Sequence, residues 1–272
     1  MAKNNPLVSV IIPCFNVAAT VEEAVDSILS QTYENIEVIV VDDGSTDDTY
    51  AILCSLKDRD DRVTVLKNTE NMKIVGTLNR GIDHSSGLYI ARMDGDDYKY
   101  PDAIEKQVRF MEDNPKVSIV GGSIEICDAD MRVLHKREYP LSDADIRKKM
   151  FRYSPFAHPA VMIRAAALDD ERYELNWAED YDLYFRLGIK GEFANLKDCL
   201  LRLRTHRGSV SQSKLRYQEG LTMYIRLKAV YEYGYSMSGS DKAYMAIQYI
   251  TQFLMPAGFR FWLFSKLRSI RW

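Results

Sequence analysis

Short apolar runs alternate with longer segments of helical periodicity through the first hundred residues, and no other feature constrains the fold as strongly. This alternation is typical of βαβ units, in which helices join parallel strands and cover both faces of a sheet. The β-branched runs that predict strands occupy residues 7–12, 36–41, 63–66 and 88–93. Because ligands of such sheets bind beyond the carboxyl ends of the strands, function is expected in the residues that follow each run.

Helical spacing is clear between the first two runs, where Val21, Val25 and Ile28 share one face. Ser45 or Thr46 can cap the next helix. Further along the chain the pattern predicts a helix from residue 101, a strand at 117–120, a hairpin around 128–131, and helices at 215–233 and 241–255. An open α/β sheet with a helical C-terminal segment is therefore expected.

Composition excludes several classes of protein. The 272 residues are 46% hydrophobic, enough for one sizeable core, and the net charge of -3 argues against a nucleic-acid partner. The four cysteines lack metal-ligand spacing and no signal peptide precedes them, which predicts a reduced, cytoplasmic protein. No run of about 18 apolar residues occurs, so no membrane-spanning helix is expected.

Polar residues follow three of the predicted strands. They form the segments Pro13-Cys14-Phe15-Asn16, Asp42-Asp43-Gly44-Ser45 and Asp94-Gly95-Asp96-Asp97. The glycine-rich loops that usually cradle dinucleotides or phosphates, GxGxxG and GxxxxGK[ST], are absent from the sequence. A carboxylate cluster offers another way to hold a diphosphate, because hard oxygen ligands bind Mg²⁺ or Mn²⁺.

Two other interpretations of the acidic cluster stay open. Asp-Gly-Asp is also ordinary turn chemistry. An EF-hand loop fits less well, because Lys99 stands where the glycine is required and Pro101 interrupts the loop.

Four segments together resemble a known family. In chain order they are VSVIIPCFN at 8–16, SILSQT at 27–32, VVDDGSTD at 40–47 and DGDD at 94–97. Their order and spacing resemble the GT-A fold, family 2 inverting glycosyltransferases, over about residues 7–211. The resemblance implies an α/β GT-A fold, with a Rossmann-like nucleotide-binding half, a mostly parallel central sheet flanked by helices, and an acceptor-binding half.

The domain division follows from the same resemblance. We expect a catalytic domain at residues 1–212, made of a nucleotide-sugar-binding half at 1–100 and an acceptor-binding half at 101–212. A C-terminal helical extension is expected at 213–272.

The resemblance also implies a UDP-sugar donor site. Pro13 and Phe15 match positions that contact the base, and Asp43 matches the carboxylate that accepts a hydrogen bond from it. A helix-capping turn is the alternative for Asp43. Family members often carry a basic residue in the stretch that matches 71–79, where this chain offers Lys73, with Arg80 beside it.

Asp94 and Asp96 match the family's DXD motif, which implies a divalent cation, Mn²⁺ or Mg²⁺. By this resemblance Asp96 is the direct ligand, and Asp94 lies nearer the ribose or a metal-bound water. Asp97 is expected to support them from behind.

The segment WAEDYD at 177–182 resembles the family's Glu-Asp motif, in which the aspartate is the general base. Direct displacement at an anomeric carbon requires a carboxylate to take the proton of the acceptor hydroxyl. Asp180 is therefore the predicted base, with Glu179 as its neighbour. Alternatively, both acids simply occupy the first turn of a helix, where the helix N-terminus would depress the pKa of Asp180 and weaken the base.

Two histidines complete the candidate site. His158 matches a stretch that makes donor or acceptor contacts, although a purely structural histidine is the alternative. His206 begins the stretch 206–211, which resembles a loop that closes over the donor phosphates; a solvated basic turn is the alternative.

After Asp241 all charged side chains are basic, and they are interspersed with aromatic residues. This composition predicts peripheral contact with an anionic membrane surface. A helix packed on the catalytic domain, or a homodimer contact, is an equal alternative.

The function implied is transfer of a hexose or N-acetylhexosamine from a UDP-sugar to a hydroxyl of an oligosaccharide or lipid-linked glycan. The bond formed would be β, and the setting cell-surface polysaccharide biosynthesis at the inner face of the cytoplasmic membrane. Two rivals stay open. A metal-dependent nucleotidyltransferase normally has a glycine-rich loop after its first strand, and a non-catalytic sugar-binding module would be expected to lose Asp96 or Asp180.

Overall fold

The three-dimensional structure is a computed structural model that describes residues 5–205, 215–255, 259–260 and 263–264. Within those residues the strands form one nine-stranded sheet. The strands are β1 (Val8–Cys14), β2 (Ile36–Asp42), β3 (Val63–Lys67), β4 (Tyr89–Arg92), β5 (Tyr98–Lys99), β6 (Val117–Cys127), β7 (Val133–Arg137), β8 (Met162–Arg164) and β9 (Glu192–Arg204). The helices are α1 (Val21–Leu29), α2 (Thr49–Arg59), α3 (Lys73–His84), α4 (Ala103–Asp113), α5 (Asp143–Met150), α6 (Ala165–Leu168), α7 (Glu179–Lys190), α8 (Leu215–Tyr231) and α9 (Gly239–Leu254).

Strand β1 shows how the sequence produces the layers. Its side chains alternate between two hydrophobic clusters: Val10 and Ile12 belong to the one that α1, α2 and α4 complete, and Ile11 to the one that α3 and α7 complete. Both faces of the strand are therefore buried, as its continuous apolar run requires. Helix α3 packs especially close, because a Cβ on Gly81 would lie 2.5 Å from Cγ2 of Ile11.

The sheet brings the expected strand ends to one edge. Its order is β3-β2-β1-β4-β8-β6-β9-β5, with β7 paired to β6. The first four strands in this order pair in parallel, and β8 runs antiparallel to β4 and β6. Cys14 lies opposite Asp42, and Ile11 opposite Arg92, so the segments after β1, β2 and β4 meet. The predicted α/β fold class and the four predicted strands are confirmed.

One local prediction was wrong. Helix α2 begins at Thr49, later than a cap at Ser45 or Thr46 would allow, and the side chain of its N-cap residue makes no capping hydrogen bond. Asp47 instead accepts hydrogen bonds from the Thr49 N–H at 3.0 Å and from the Ala18 N–H at 3.1 Å. The segment 43–48 is thereby tied to the loop after β1 rather than wound into a helix.

The C-terminal helices were predicted correctly, and α8 packs against α7. Ile225 and Ala229 of α8 belong to the same buried cluster as α7. Ser238 caps α9 by accepting from the Asp241 N–H, and Asp241 forms an ion pair with Arg152 at 2.9 Å. None of the described helices is both long and apolar enough to cross a bilayer.

Candidate active site

Asp43 is a buried carboxylate directly after β2. Its Oδ1 accepts hydrogen bonds from Nδ2 of Asn68 at 2.7 Å and from the backbone N–H of Met72 at 2.8 Å. Nη1 of Arg80 donates in turn to Oδ1 of Asn68. Asp43 is therefore held in one orientation by groups from β3 and α3, which is more than a turn or a cap requires.

The loops after β1 and β2 are joined to each other. The N–H of Thr46 donates to Oδ1 of Asn16 at 2.8 Å, and the N–H of Ser45 donates to Oδ1 of Asp42 at 3.3 Å, so Asp42 supports the turn. Gly44 has a φ of +73°, a left-handed conformation that favours glycine. The ring of Phe15 remains 46% exposed, which leaves it accessible to a ligand.

Lys73 is exposed at the first position of α3, with a φ of +63°. Arg80 is committed elsewhere, since its Nη1 donates to the carbonyl of Lys67 at 2.7 Å as well as to Asn68. Of the two basic residues offered by the sequence near this stretch, Lys73 is the one whose side chain faces solvent.

Three carboxylates gather after β4. Ligand oxygens of Asp94, Asp96 and Asp97 all lie within 4.8 Å of one another. Both oxygens of Asp94 accept from the guanidinium of Arg92, a buried residue at the end of β4. Arg92 therefore fixes the orientation of Asp94 beside Asp96.

Asp97 lies behind this pair and is almost fully buried. Its Oδ1 accepts from the backbone N–H of Arg204 at 3.0 Å, while its Oδ2 is buried and has no hydrogen-bond partner among the described residues. Burial raises the pKa of the Asp97 carboxyl well above its usual range, and the charges of Asp94 and Asp96 add to the effect. A divalent cation would relieve this repulsion, so the cluster fits a metal site.

Asp180 lies in the first turn of α7, as the helical interpretation expected, but its pKa is shifted in the opposite direction. Burial raises the pKa of the carboxyl, and the backbone N–H of Tyr181 lowers it less. Ser154 donates to Oδ2 of Asp180 at 3.4 Å. Trp177, three residues earlier, has a φ of +81°, a strained conformation of a kind that is concentrated at functional sites.

The neighbours of Asp180 are also titratable and largely buried. Burial and the charge of Asp180 raise the pKa of Glu179 to about 7. His158 lies 3.9 Å from Glu179 and shares a 2.9 Å hydrogen bond with the Tyr173 hydroxyl. Burial and the nearby Arg92 lower the pKa of His158 well below its usual range, so this ring is neutral at pH 7.

Arg92 links the acidic cluster to the predicted base, and sequence reasoning missed it. Besides its pair with Asp94, its charge lowers the pKa of Glu179 and that of Asp180. The signal was an arginine inside the otherwise apolar β4 run. Asn68 was missed as well, although it directly follows β3, the one strand end where no site residue was sought.

A cavity of about 410 Å³ opens beside Asp180. Asp180, His158 and Trp177 line it, together with residues of α8 and α9. The structure thus gathers the predicted residues around neighbouring strand ends and this cavity, with one exception: His206 and the stretch 206–211 lie outside the described residues.

Comparison with known proteins decides the family. The family model described as glycosyl transferase family 2 matches residues 9–171. The chain belongs to glycosyl transferase family 2.

Relatives of this glycosyltransferase carry the same kind of name. An uncharacterized glycosyltransferase of Haemophilus influenzae is 33% identical over 232 residues, which are 81% of this chain and 72% of that protein. The Escherichia coli UDP-Glc:alpha-D-GlcNAc-diphosphoundecaprenol beta-1,3-glucosyltransferase WfaP is 34% identical over 214 residues, which are 77% of this chain and 82% of that protein. The chain is therefore an enzyme that transfers sugar from a nucleotide sugar.

Solved structures confirm the GT-A fold of the glycosyltransferase. Staphylococcus aureus TarS in complex with UDP-GlcNAc superimposes with a TM-score of 0.66 at 20% identity, over 83% of this chain and 68% of that one. The mannosyltransferase PcManGT from Pyrobaculum calidifontis, in complex with GDP-Man and Mn²⁺, also superimposes with a TM-score of 0.66. It is 18% identical, over 90% of this chain and 69% of that one.

Proposed function

We propose that this glycosyltransferase moves a hexose or N-acetylhexosamine from a UDP-sugar to a hydroxyl of an oligosaccharide or lipid-linked glycan, with inversion and a new β bond. One observation carries the proposal. The half-buried carboxylate of Asp180 lines a cavity, and its pKa is lowered by the charge of Arg92, which binds Asp94 of the acidic cluster after β4. The UDP-GlcNAc bound by TarS and the UDP-Glc in the name of WfaP support the choice of uridine nucleotide.

The donor would lie across the ends of β1, β2 and β4. Pro13 and Phe15 would contact the base, and Asp43, held by Asn68 and Met72, would accept its hydrogen bond. A fixed carboxylate selects an N–H donor without losing entropy on binding. Lys73 is exposed nearby and would contact the diphosphate.

Asp96, with Asp94 beside it, would hold a divalent cation, either Mn²⁺ or Mg²⁺, which would stabilise the charge that develops on the leaving diphosphate. The Mn²⁺ in the PcManGT complex supports this assignment. Arg92 orients Asp94 through its hydrogen bonds, and Asp97 accepts a hydrogen bond from the backbone of Arg204.

Asp180 would act as the general base. The acceptor O–H gives its proton to the Asp180 carboxylate while the oxygen bonds to the anomeric carbon, and the bond from that carbon to the phosphate oxygen breaks with its electrons leaving on UDP. A raised pKa makes Asp180 a stronger base than an exposed aspartate. His158, neutral at pH 7, and Glu179 would orient the acceptor.

We propose that the enzyme works at the inner face of the cytoplasmic membrane, where a lipid-linked acceptor is held. The outer side of α9 supports this, because it exposes Ile247, Ile250, Phe253 and Leu254. Its inner side buries Tyr244, Gln248 and Thr251 against the rest of the protein. Most of the basic tail predicted to touch the membrane lies outside the described residues.

Release of UDP from a panel of nucleotide sugars tests the proposed function. We expect release from a UDP-sugar that requires both a divalent cation and a glycan acceptor. Release of UDP that does not depend on the acceptor would indicate hydrolysis of the nucleotide sugar. If UDP is released from none of the donors, a non-catalytic binding module is favoured.

A further inference from the structure

The cavity beside Asp180 is rich in arginine. Among the described residues that line it are four arginines and two carboxylates. The arginines come from β7, the segment after α5, α8 and the C-terminal segment, and they are Arg137, Arg152, Arg226 and Arg260. Such convergence of guanidinium groups from separate elements on one small space calls for an explanation.

Arg226 is the most informative of the four. It is only 2% exposed, and its hydrogen bonds go to the Tyr181 hydroxyl at 3.1 Å, to Oε1 of Gln248 at 2.8 Å and to the carbonyl of Arg152 at 3.1 Å. All three acceptors are uncharged. Burying a cation against neutral acceptors is costly, and an anion in the cavity would offset that cost.

Two of the other arginines are neutralised by carboxylates. Arg152 forms an ion pair with Asp241 at 2.9 Å, and Arg260 with Glu219 at 2.7 Å. Even so, Nε of the fully buried Arg260 has no hydrogen-bond partner within the described part of the chain. Among the described residues, the charge of Arg226 and the Nε–H of Arg260 therefore remain for a ligand.

The arginines share a cavity with Asp180 and not with the acidic cluster after β4. Nε of Arg226 donates to Tyr181, the residue next to Asp180, and both Asp180 and Arg226 line the cavity. Asp43, Asp94 and Asp96 are absent from the described residues that line it. A ligand whose hydroxyl reaches Asp180 would therefore place its other end against the guanidinium groups.

We propose that this cavity binds a phosphate or diphosphate ester carried by the acceptor sugar, so that the enzyme selects acceptors that are phosphorylated close to the hydroxyl they present. The inference rests on the proposed role of Asp180 as the base. Guanidinium groups bind phosphate oxygens in a bidentate manner, and a volume of about 410 Å³ lies within the range of small-ligand sites.

Two acceptors with the same sugar test the inference. One carries an alkyl diphosphate at its anomeric carbon and the other a neutral alkyl group. We expect the wild-type enzyme to prefer the diphosphate by at least about tenfold in kcat/KM, equivalent to about 1.4 kcal/mol. Arg226→Gln should reduce this preference at least about tenfold, mainly through the KM of the diphosphate acceptor.

Arg164→Gln is the matched control. Arg164 also donates to neutral groups, the carbonyls of Val117 and Met111 and the hydroxyl of Tyr89, but it lies outside the cavity. Its replacement should leave the preference unchanged. If Arg226→Gln does not fold, Arg137→Gln, which removes a partly exposed guanidinium, takes its place.

Three results would overturn the inference, and they are distinguishable. Equal use of both acceptors by the wild-type enzyme would refute the phosphate assignment and leave the proposed function standing. No transfer to either acceptor from any UDP-sugar would refute the proposed function itself. A third experiment measures the binding of inorganic diphosphate in the absence of metal. If Arg226→Gln abolishes this binding but the wild-type enzyme does not prefer the phosphorylated acceptor, the site binds a free anion and not the acceptor.

Discussion

Two opposing influences act on the carboxyl group of Asp180. The N-terminus of α7 stabilises the ionised form through the Tyr181 N–H, whereas burial disfavours it, and burial has the larger effect. Burial and the charge of Asp180 raise the pKa of the neighbouring Glu179 to about 7. The pKa of each of these two acids therefore lies above the usual value for a carboxyl group.

This pair predicts the pH dependence of the reaction. Because the base must be ionised, kcat should rise with pH through an apparent pKa above the usual value for an aspartate, since burial raises the pKa of Asp180. Between pH 4.5 and 7 Glu179 keeps a proton in the folded protein that it releases in the unfolded chain, so stability should fall as pH rises through this window.

Glu179→Gln provides the control for the pH profile. It removes the acid whose pKa is raised to about 7, so the fall in stability between pH 4.5 and 7 should become smaller, while kcat keeps its rising limb because Asp180 remains. A fall in stability that Glu179→Gln does not reduce, or a kcat limb that Glu179→Gln abolishes, would contradict the assignment. Steady-state kinetics with thermal melts at each pH make both measurements.

Individual site residues differ in how far the sequence could predict them. Asp43, Asp94 and Asp96 follow strands directly, so periodicity alone places them at one edge. Asn68 acts on Asp43 from 25 positions away, and the acceptors of Arg226 come from three separate segments. Contacts of this kind depend on how separate elements pack together, and no local sequence pattern indicates them.

At the scale of elements, the packing of α3 against β1 tests the layered arrangement. A Cβ at residue 81 would lie 2.5 Å from Ile11, in the buried contact between helix and strand. Gly81→Ala should therefore lower stability by about 1–3 kcal/mol, as overpacking of a core commonly does. Chemical denaturation measures the change in the free energy of unfolding.

Gly220→Ala is the matched control, since a Cβ there meets nothing within 4 Å and the residue lies inside α8. It should raise stability by about 0.4–1 kcal/mol, because alanine favours helix more than glycine does. Equal effects of the two substitutions would contradict the close approach of α3.

Strands and helices could be predicted from the sequence where the pattern of apolar residues is typical of only one of them. The strands β1 to β4 are short, mostly apolar runs, and α8 and α9 are long helices. The start of α2 could not be predicted, because Asp47 can cap a helix or stabilise a loop. Its hydrogen bonds with Ala18 and Thr49 show that it stabilises the loop. Antiparallel pairing of β8 likewise depends on contacts across the sheet.

At the scale of the whole molecule, the outer side of α9 predicts binding to membranes. Phe253→Gln with Leu254→Gln, two side chains that are each 73% exposed, should reduce cosedimentation with anionic vesicles severalfold. The matched control is Val133→Gln with Leu134→Gln on β7, which are exposed too but lie on another element. Equal losses in the two double variants, or none, would contradict a membrane face on α9.

The central claim is that one group of acids holds the donor while a separate carboxylate activates the acceptor. The most direct test measures Mn²⁺-dependent UDP binding by calorimetry, together with turnover, in two variants. Asp96→Ala should abolish metal-dependent UDP binding. Asp180→Asn should bind UDP as the wild type does and lose about 10²–10⁴-fold in kcat, while Asp145→Asn, an exposed acid on α5, should change neither. Unaltered UDP binding in Asp96→Ala, or full turnover in Asp180→Asn, would contradict this division of roles.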